Sequence, residues 1–199
     1  NMTNNKASDE ELALQAQAGS RPSFEELVDR YSGRLYHFLL PKMQSGQDIE
    51  DILQEAFLKA YRNIDGYDPK WKFSTWIYTI THRLAIDHFR ACAKADTDLI
   101  PEENDVTPEE QYVEEKARQN LWKMARKLKP DYYKVLWMRY VQGMTNKEIA
   151  KVMGRTSLAV RMLVHRARLQ LAEKLECENA EAQDSPAIEN TPGFYYGGE

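Results

Sequence analysis

Apolar residues recur along this chain at steps of three and four, the spacing that lines one side of an α-helix. The pattern is plainest between 48 and 64, where Ile49, Ile52, Leu53, Ala56, Phe57, Ala60, Tyr61 and Ile64 form one stripe. That stretch is predicted to be an amphipathic helix. Ser8 with Glu11, and Ser23 with Glu26, stand at capping-box spacing, in which side chains satisfy the orphan amides of a helix start. Two further helices are expected to begin there. The second carries Phe24, Leu27, Val28, Tyr31, Leu35 and Phe38, and Pro41, which lacks an amide proton, should end or bend it. A loop around Gly66 and Pro69 follows, then a helix from about Ser74 to Ala93.

The periodicity stops between Ala93 and Thr107, an acidic stretch containing Pro101, and this reads as a linker. Thr107, Pro108, Glu109 and Glu110 then carry the signals of a new helix start. Later helices are expected over about Pro130–Gln142, Lys147–Met153 and Ser157–Leu175, with Gly143 and Gly154 placed to end the first two. No segment alternates with a period of two, so the expected fold is all-α. It comprises a helical domain over 9–93, a linker over 94–107, a second helical domain over 108–175 and an acidic tail over 176–199. The composition of the tail predicts disorder, with Phe194, Tyr195 and Tyr196 as the exception.

Composition narrows the function. The 199 residues suffice for one or two small domains but not for a large multidomain enzyme. No run of 18 apolar residues occurs and the N-terminal segment is not that of a secretory signal, so a cytoplasmic protein is expected. Asn1 before Met2 reads as a scar of tag removal. The two cysteines, Cys92 and Cys177, show neither metal-knuckle nor disulfide spacing and are expected to be plain thiols.

The net charge of −4 conceals a strong segregation. Residues 117–175 hold 14 Lys and Arg against three acids, whereas 94–116 hold two bases and nine acids, and 176–199 hold six acids and no base. A basic block between acidic ones is what a polyanion-binding domain beside acidic linkers would show. Within that block, Thr145 to Met153 reads as a short capped helix, Gly154 as a turn, and Arg155, Thr156 and Ser157 as a fresh helix start: helix-turn-helix grammar. On the second helix Val160, Leu163, Val164, Ala167 and Leu171 fall on one side, and Arg161, Met162, His165, Arg166 and Leu169 on the other. The outward basic face suits guanine edges and phosphates in a major groove, although an ordinary hairpin with solvated arginines has the same pattern.

A second nucleic-acid signal lies in the first domain. Between Tyr67 and Arg90, aromatics (Tyr67, Trp71, Phe73, Trp76, Tyr78, Phe89) interleave with Lys70, Lys72, Arg83 and Arg90, the combination that holds unpaired bases by stacking and neutralises their phosphates. The same spacing also suits a core, and Trp76, Ile77 and Ile80 are expected to be core in either case. His82, Asp87 and His88 lie close in sequence, but the two histidines are six positions apart and face different directions on a helix. There is no Gly-rich phosphate loop and no nucleophile motif. An enzyme is therefore not expected, a helical metal-dependent hydrolase being the form it would take, and no cofactor or metal is implied.

In order and spacing, these pieces resemble the extracytoplasmic-function (ECF) subgroup of bacterial sigma-70 family RNA polymerase sigma factors. The stretch from Asp48 to Ile64 is similar to region 2.2, Phe73 to Arg90 to regions 2.3 and 2.4, and Leu128 to Gly143, Glu148 to Ala150 and Val160 to Arg168 to region 4. The resemblance implies promoter-specific transcription initiation, with polymerase core and promoter DNA, both duplex and melted non-template strand, as partners, and an anti-sigma factor as a candidate inhibitor. It implies core binding at Asp51, Gln54 and Glu55. It implies minus-10 contacts at Lys70, Trp71, Lys72, Trp76 and Arg83, with a flipped base taken up by the loop over 66–74. It implies minus-35 contacts at Ser157, Arg161, His165, Arg166 and Arg168. Two departures stand out. Arg90 is followed by Ala91, Cys92 and Ala93 where many relatives carry a basic run, and about 24 residues follow the region 4 match, an acidic tail that could cover the basic helix face. The alternative is a helix-turn-helix regulator acting without polymerase.

Overall fold

The computed structural model describes residues 7–43, 45–95 and 113–183. These form α1 (Asp9–Gln17), α2 (Arg21–Leu39), α3 (Gly46–Arg62), α4 (Phe73–Ala95), α5 (Val113–Arg126), α6 (Pro130–Leu136), α7 (Asn146–Met153) and α8 (Ser157–Gln183), with no strand among the described residues. The all-α expectation holds. The restart at Thr107, most of the linker and residues 184–199 of the tail lie outside the described residues.

The first module packs α1 to α4 around Leu27, Leu35, Phe38, Ile49, Phe73 and Ile77, all buried. α1 begins as expected: the Ser8 Oγ accepts from the Glu11 amide at 3.2 Å and the Glu11 carboxylate accepts from the Ser8 amide at 2.8 Å. Asp9 then ties α1 to α2, accepting from Arg30 at 2.7 Å and from the Tyr31 hydroxyl at 2.5 Å. Burial, reinforced by that carboxylate, pushes the Tyr31 hydroxyl well above its ordinary pKa, so it remains a donor.

The expected capping box at Ser23 does not form. α2 starts three residues earlier with Ser20 as N-cap and Pro22 in its first turn. Proline is preset for that position. Ser23 is inside the helix, where its hydroxyl donates to Gln15 at 2.7 Å. Pro41 does end the α-helix, at Leu39, and the chain continues as one 3-10 turn.

In the second module, the single helix expected over 130–142 divides into α6 and a π-helical segment, Trp137–Val141, where the Gln142 amide reaches back five residues to the Trp137 carbonyl at 3.2 Å. The wider turn inserts one residue and resets which side chains face inward. Trp137 and Met138 are buried, whereas Tyr140 and Val141 are exposed. α7 carries a full capping box between Thr145 and Glu148, and Gly154 ends it at φ 63°, a left-handed conformation that glycine adopts without strain. α8 runs to Gln183, past the expected end at Leu175 and into the tail that composition assigned to disorder. Its added turns, Glu176 to Gln183, are rich in Glu and Ala, residues that favour helix.

The two modules share one continuous core. The Trp137 indole donates to the Tyr78 hydroxyl at 3.3 Å and the Tyr133 hydroxyl donates to the His37 carbonyl at 3.0 Å. The His37 ring lies 5.6 Å from that of Trp137. Buried His82 on α4 feels Lys134, Asp131 and Arg155 of the second module. Burial, with the Lys134 charge next, pushes it down to about 4 from 6.5. His82 is thus neutral in the folded chain near neutral pH, and the unfolded chain binds its proton first as pH falls.

Above pH 6.5 neither state binds this proton and the linkage is silent; as pH falls from 6.5 toward 4 the unfolded chain is favoured progressively. Denaturant titrations at pH 7 and pH 5 should differ by about 2 kcal/mol, with lower stability at pH 5, and His82→Gln should flatten that dependence. Equal slopes in the two proteins would refute it.

Candidate nucleic-acid interface

The loop between α3 and α4 is held rigid from within and from outside. The Tyr67 hydroxyl donates to the Trp71 carbonyl at 2.8 Å, the Trp71 amide to the Asp68 carbonyl at 3.0 Å, and the Lys70 amide to the Asp68 carboxylate at 3.0 Å. The Tyr67 ring packs on Phe73 and Trp76 at 5.9 and 5.5 Å between centroids. Burial, aided by the Glu10 charge, pushes the Tyr67 hydroxyl up to about 12, so it stays protonated as a donor.

α1 grips both ends of this loop. The Gln17 side-chain amide donates to the carbonyls of Ile64 at 2.8 Å and Tyr67 at 2.9 Å, and the Glu10 carboxylate accepts from the Phe73 amide at 3.1 Å. Glu10 thereby caps α4 from 63 positions away. Neither residue was singled out from the sequence. A polar side chain on an exposed-looking helix carries no local mark of a partner some fifty residues further on.

On this frame the structure brings Lys70, Trp71 and Lys72 together at the loop tip, with Lys70 and Lys72 exposed and Trp71 half-buried. Trp76 is below them, partly buried against Phe73 at 5.8 Å, which joins the stacking and core readings of the sequence in one residue. Arg83 is exposed two turns further along α4 on the side of Trp76. Ile77, Tyr78 and Phe73 belong wholly to the core.

Asp51, Gln54 and Glu55 are exposed on one side of α3, and Gln47 donates to Asp51 at 3.2 Å. Leu58, one to two turns along the same side, is 47% exposed, an apolar member of this acidic face that periodicity passed over. Tyr61, placed in the apolar stripe by spacing, is 44% exposed and packs its ring on Phe24 at 5.0 Å.

On α8, Ser157, Arg161, His165, Arg166 and Arg168 are all exposed, while Val160 and Ala167 are buried. The expected division of the helix into two sides is present. Exposed Leu158, Met162 and Leu169 interleave with the bases, so the outer face combines charge with apolar surface that can meet thymine methyl groups. The turn before α8 is fixed by Arg155, which bonds Asp131 at 2.6 Å, and by Thr156, whose hydroxyl accepts from the Ala159 amide at 3.2 Å. His82 is buried and Asp87 exposed, and among the described residues no group of three or more His, Cys, Asp or Glu is placed to hold a metal ion.

Comparison with known proteins assigns both modules to one family. The Sigma-70 region 2 family pattern matches residues 27–94 and the Sigma-70 region 4 pattern matches residues 118–171. SigW of Bacillus subtilis, an ECF RNA polymerase sigma factor, is 30% identical over 175 residues, covering 81% of this chain and 93% of that protein. The chain belongs to the ECF sigma factors. BldN of Streptomyces coelicolor, of the same group, is 31% identical over 171 residues covering 83% of this chain, which spans 65% of BldN's length. Among solved structures, CnrH in complex with the cytosolic domain of CnrY superposes with a TM-score of 0.61 at 26% identity, over 86% of this chain and 99% of that one. RpoE of Bartonella quintana, solved with NepR, shares the fold at 18% identity with a TM-score of 0.66, over 77% of this chain and 96% of that one.

The sigma family consists of transcription initiation factors rather than enzymes, so the hydrolase reading is set aside. The region 2 match runs from within α2 to α4 and the region 4 match from within α5 into α8, the two parts of a factor that directs promoter-specific transcription initiation. No helix among the described residues is long and apolar enough to cross a membrane.

Gln17→Ala removes the side-chain donor shared by the carbonyls of Ile64, Asp65 and Tyr67, of which Ile64 keeps the Tyr67 amide, and should cost about 1–2 kcal/mol of stability. Amide exchange over 64–73 should accelerate while that of the α7 amides is unchanged. Wild-type exchange across the loop would show that Gln17 does not hold it.

Proposed function

We propose that this sigma factor docks on polymerase core through the α3 face of Asp51, Gln54 and Glu55, and opens the minus-10 element with the loop over 66–74. Lys70 and Lys72 neutralise phosphates there, Trp71 stacks on an unpaired base, Trp76 supports it, and Arg83 follows the strand. Stacking contributes about 1–3 kcal/mol per base, enough to bias a base toward its flipped position. Ser157, Arg161, His165, Arg166 and Arg168 of α8 contact the minus-35 element in the major groove, the arginines at base edges or phosphates. The observation that carries this reading is the loop itself: aromatic and basic side chains sit at the tip of a backbone already fixed by Gln17, Glu10 and Tyr67, so little ordering entropy opposes base capture.

Neither module needs to bind DNA tightly. Tethering through one chain and one polymerase platform raises the effective concentration of each for its element. The cytoplasm, where polymerase works, is the compartment this role requires. An anti-sigma protein is a fitting inhibitor, since the similar CnrH and RpoE chains were each solved with a protein partner.

Reconstituted run-off transcription with core enzyme and a promoter library tests the reading. Wild type should give discrete starts. Asp51→Lys with Glu55→Lys should weaken core binding at least ten-fold, as charge reversal does when opposite charges meet across an interface. Trp71→Ala should retain core binding while strand opening falls roughly ten-fold or more. Specific DNA binding at full strength without core enzyme would favour the stand-alone regulator instead.

A further inference from the structure

The outer side of α8 has a crest that its arginines do not occupy. Counted at about 100° per residue, Leu158, Met162 and Leu169 lie within roughly 40° of one line, opposite the buried Val160 and Ala167. Arg161 and Arg168 stand on one flank of that line and Arg166 on the other. Leu158 is 62% exposed, the most open large apolar side chain among the described residues, and Met162 is 44% exposed. An isolated apolar residue on a surface is ordinary, whereas an aligned set marks a surface that meets a partner.

The flanks restrict what that partner can be. Between Ser157 and Ala172, α8 holds three arginines and a histidine and no acid. A second copy of this chain laid against the crest would bring these like charges together, which opposes a dimer. The occupant has to be polyanionic and still offer small apolar groups. The major groove of duplex DNA meets both conditions, because thymine alone among the bases presents an apolar group there, its C5 methyl, between two walls of phosphate. Leu158 and Met162 are in the first two turns of α8, the part of such a helix that reaches base edges. Their backbones are about 6 Å apart, less than two base steps. Leu169 lies about 16 Å from Leu158, more than the roughly 12 Å width of the groove, and is left out. The backbone that presents Leu158 is fixed on both sides, by the Thr156 hydroxyl accepting from the Ala159 amide at 3.2 Å and by Arg155 bonding Asp131 at 2.6 Å.

We propose that Leu158 and Met162 are specificity-determining residues of this sigma factor, each packing on the C5 methyl of a thymine in the minus-35 element, the two thymines being neighbours or one base pair apart on either strand. The proposal rests on α8 being the groove-reading helix and names what its crest reads. The flanking arginines are then placed for the phosphate walls, where they add affinity without regard to sequence, while the crest selects A·T pairs and their orientation. Met162, unbranched and polarisable, can follow a methyl whose position shifts slightly from one site to another.

Deoxyuridine differs from thymidine only by this methyl, so it removes the contact without touching the protein. Holoenzyme reconstituted from the full chain and core enzyme is titrated with a promoter recovered from the run-off library, in which each minus-35 thymine is replaced in turn by deoxyuridine. Affinity should fall about four-fold at each of two positions no more than one base pair apart. Leu158→Ala should erase the sensitivity at one of them and Met162→Ala at the other, while Met162→Leu preserves it. Both side chains are exposed, so the variants should melt as wild type does, and the fall of affinity with salt should keep its slope because the phosphate contacts remain.

A wild-type holoenzyme indifferent to every thymine methyl of the element would overturn the proposal. So would alanine variants that keep the full sensitivity, or a free chain that dimerises and reverts to monomer on Leu158→Ala, which would give the crest to a second copy. Failure of the underlying reading has a different signature: Arg161→Ala and Arg166→Ala holoenzymes with wild-type promoter affinity and salt slope would remove α8 from the groove, and the proposal with it.

Discussion

The structure is organised around burying α4 on more than one side. Most helices of small domains hide one stripe and solvate the rest, but Phe73, Ser74, Thr75, Ile77, Tyr78, Thr79, Thr81 and His82 of α4 are all buried. α1 to α3 cover one part of its surface, and α7 with Trp137 of the π-helical turn covers another. Polar residues in such a helix have to satisfy themselves locally. Thr79 and Thr81 do so by donating back to the carbonyls four residues earlier, at 2.7 and 3.0 Å. The Thr75 Oγ1 and the His82 Nδ1 are buried without a hydrogen-bond partner, so the neutrality of His82 matters to the packing.

The same helix joins the chemistry to the fold. Its first turn is capped from α1 by Glu10, and that bond places the Lys70, Trp71 and Lys72 tip relative to the core. The tip is therefore an extension of rigid packing rather than a floppy loop, which is how a few weak contacts to a strand can add up. At the other end of the chain, Arg155 pairing with Asp131 and the capping box of Thr145 and Glu148 do the equivalent work, orienting α7 and α8 so that the basic side of α8 faces outward. Charge is segregated in space: the acidic α3 side, the basic loop tip and the basic α8 side are separate surfaces, and the whole-chain value of −4 averages them away.

Much of this was legible in the residue order. The amphipathic stripe of 48–64, the capping box at Ser8, the stop at Pro41 and the glycine turn at Gly154 are local signals, set by interactions within a few residues, and the structure contains each of them. So are the exposed positions proposed for core and DNA contact, because one face of a helix must be solvated when the other is buried. The misreadings have the opposite character. Ser23 had capping spacing but lost to Pro22, whose ring fits the first turn. The helix over 130–142 hid a π turn because an inserted residue leaves no mark in composition. Glu176 to Gln183 looked like a polar tail, yet its helix-favouring residues extend α8.

The sequence by itself determined the helices, their caps, the segregation of charge and the kinship to sigma regions 2 and 4, since all of these depend on side chains near in the chain or on the order of motifs. Tertiary structure alone decided that Gln17 and Glu10 hold the loop, that Trp71 lies under Lys151 and Lys72 beside Glu148, and that Tyr78 and His82 belong to an interface as much as to a core. Those partners are separated by roughly 50 to 80 positions. Bringing them together depends on how whole helices pack, and no pattern confined to one helix contains that information.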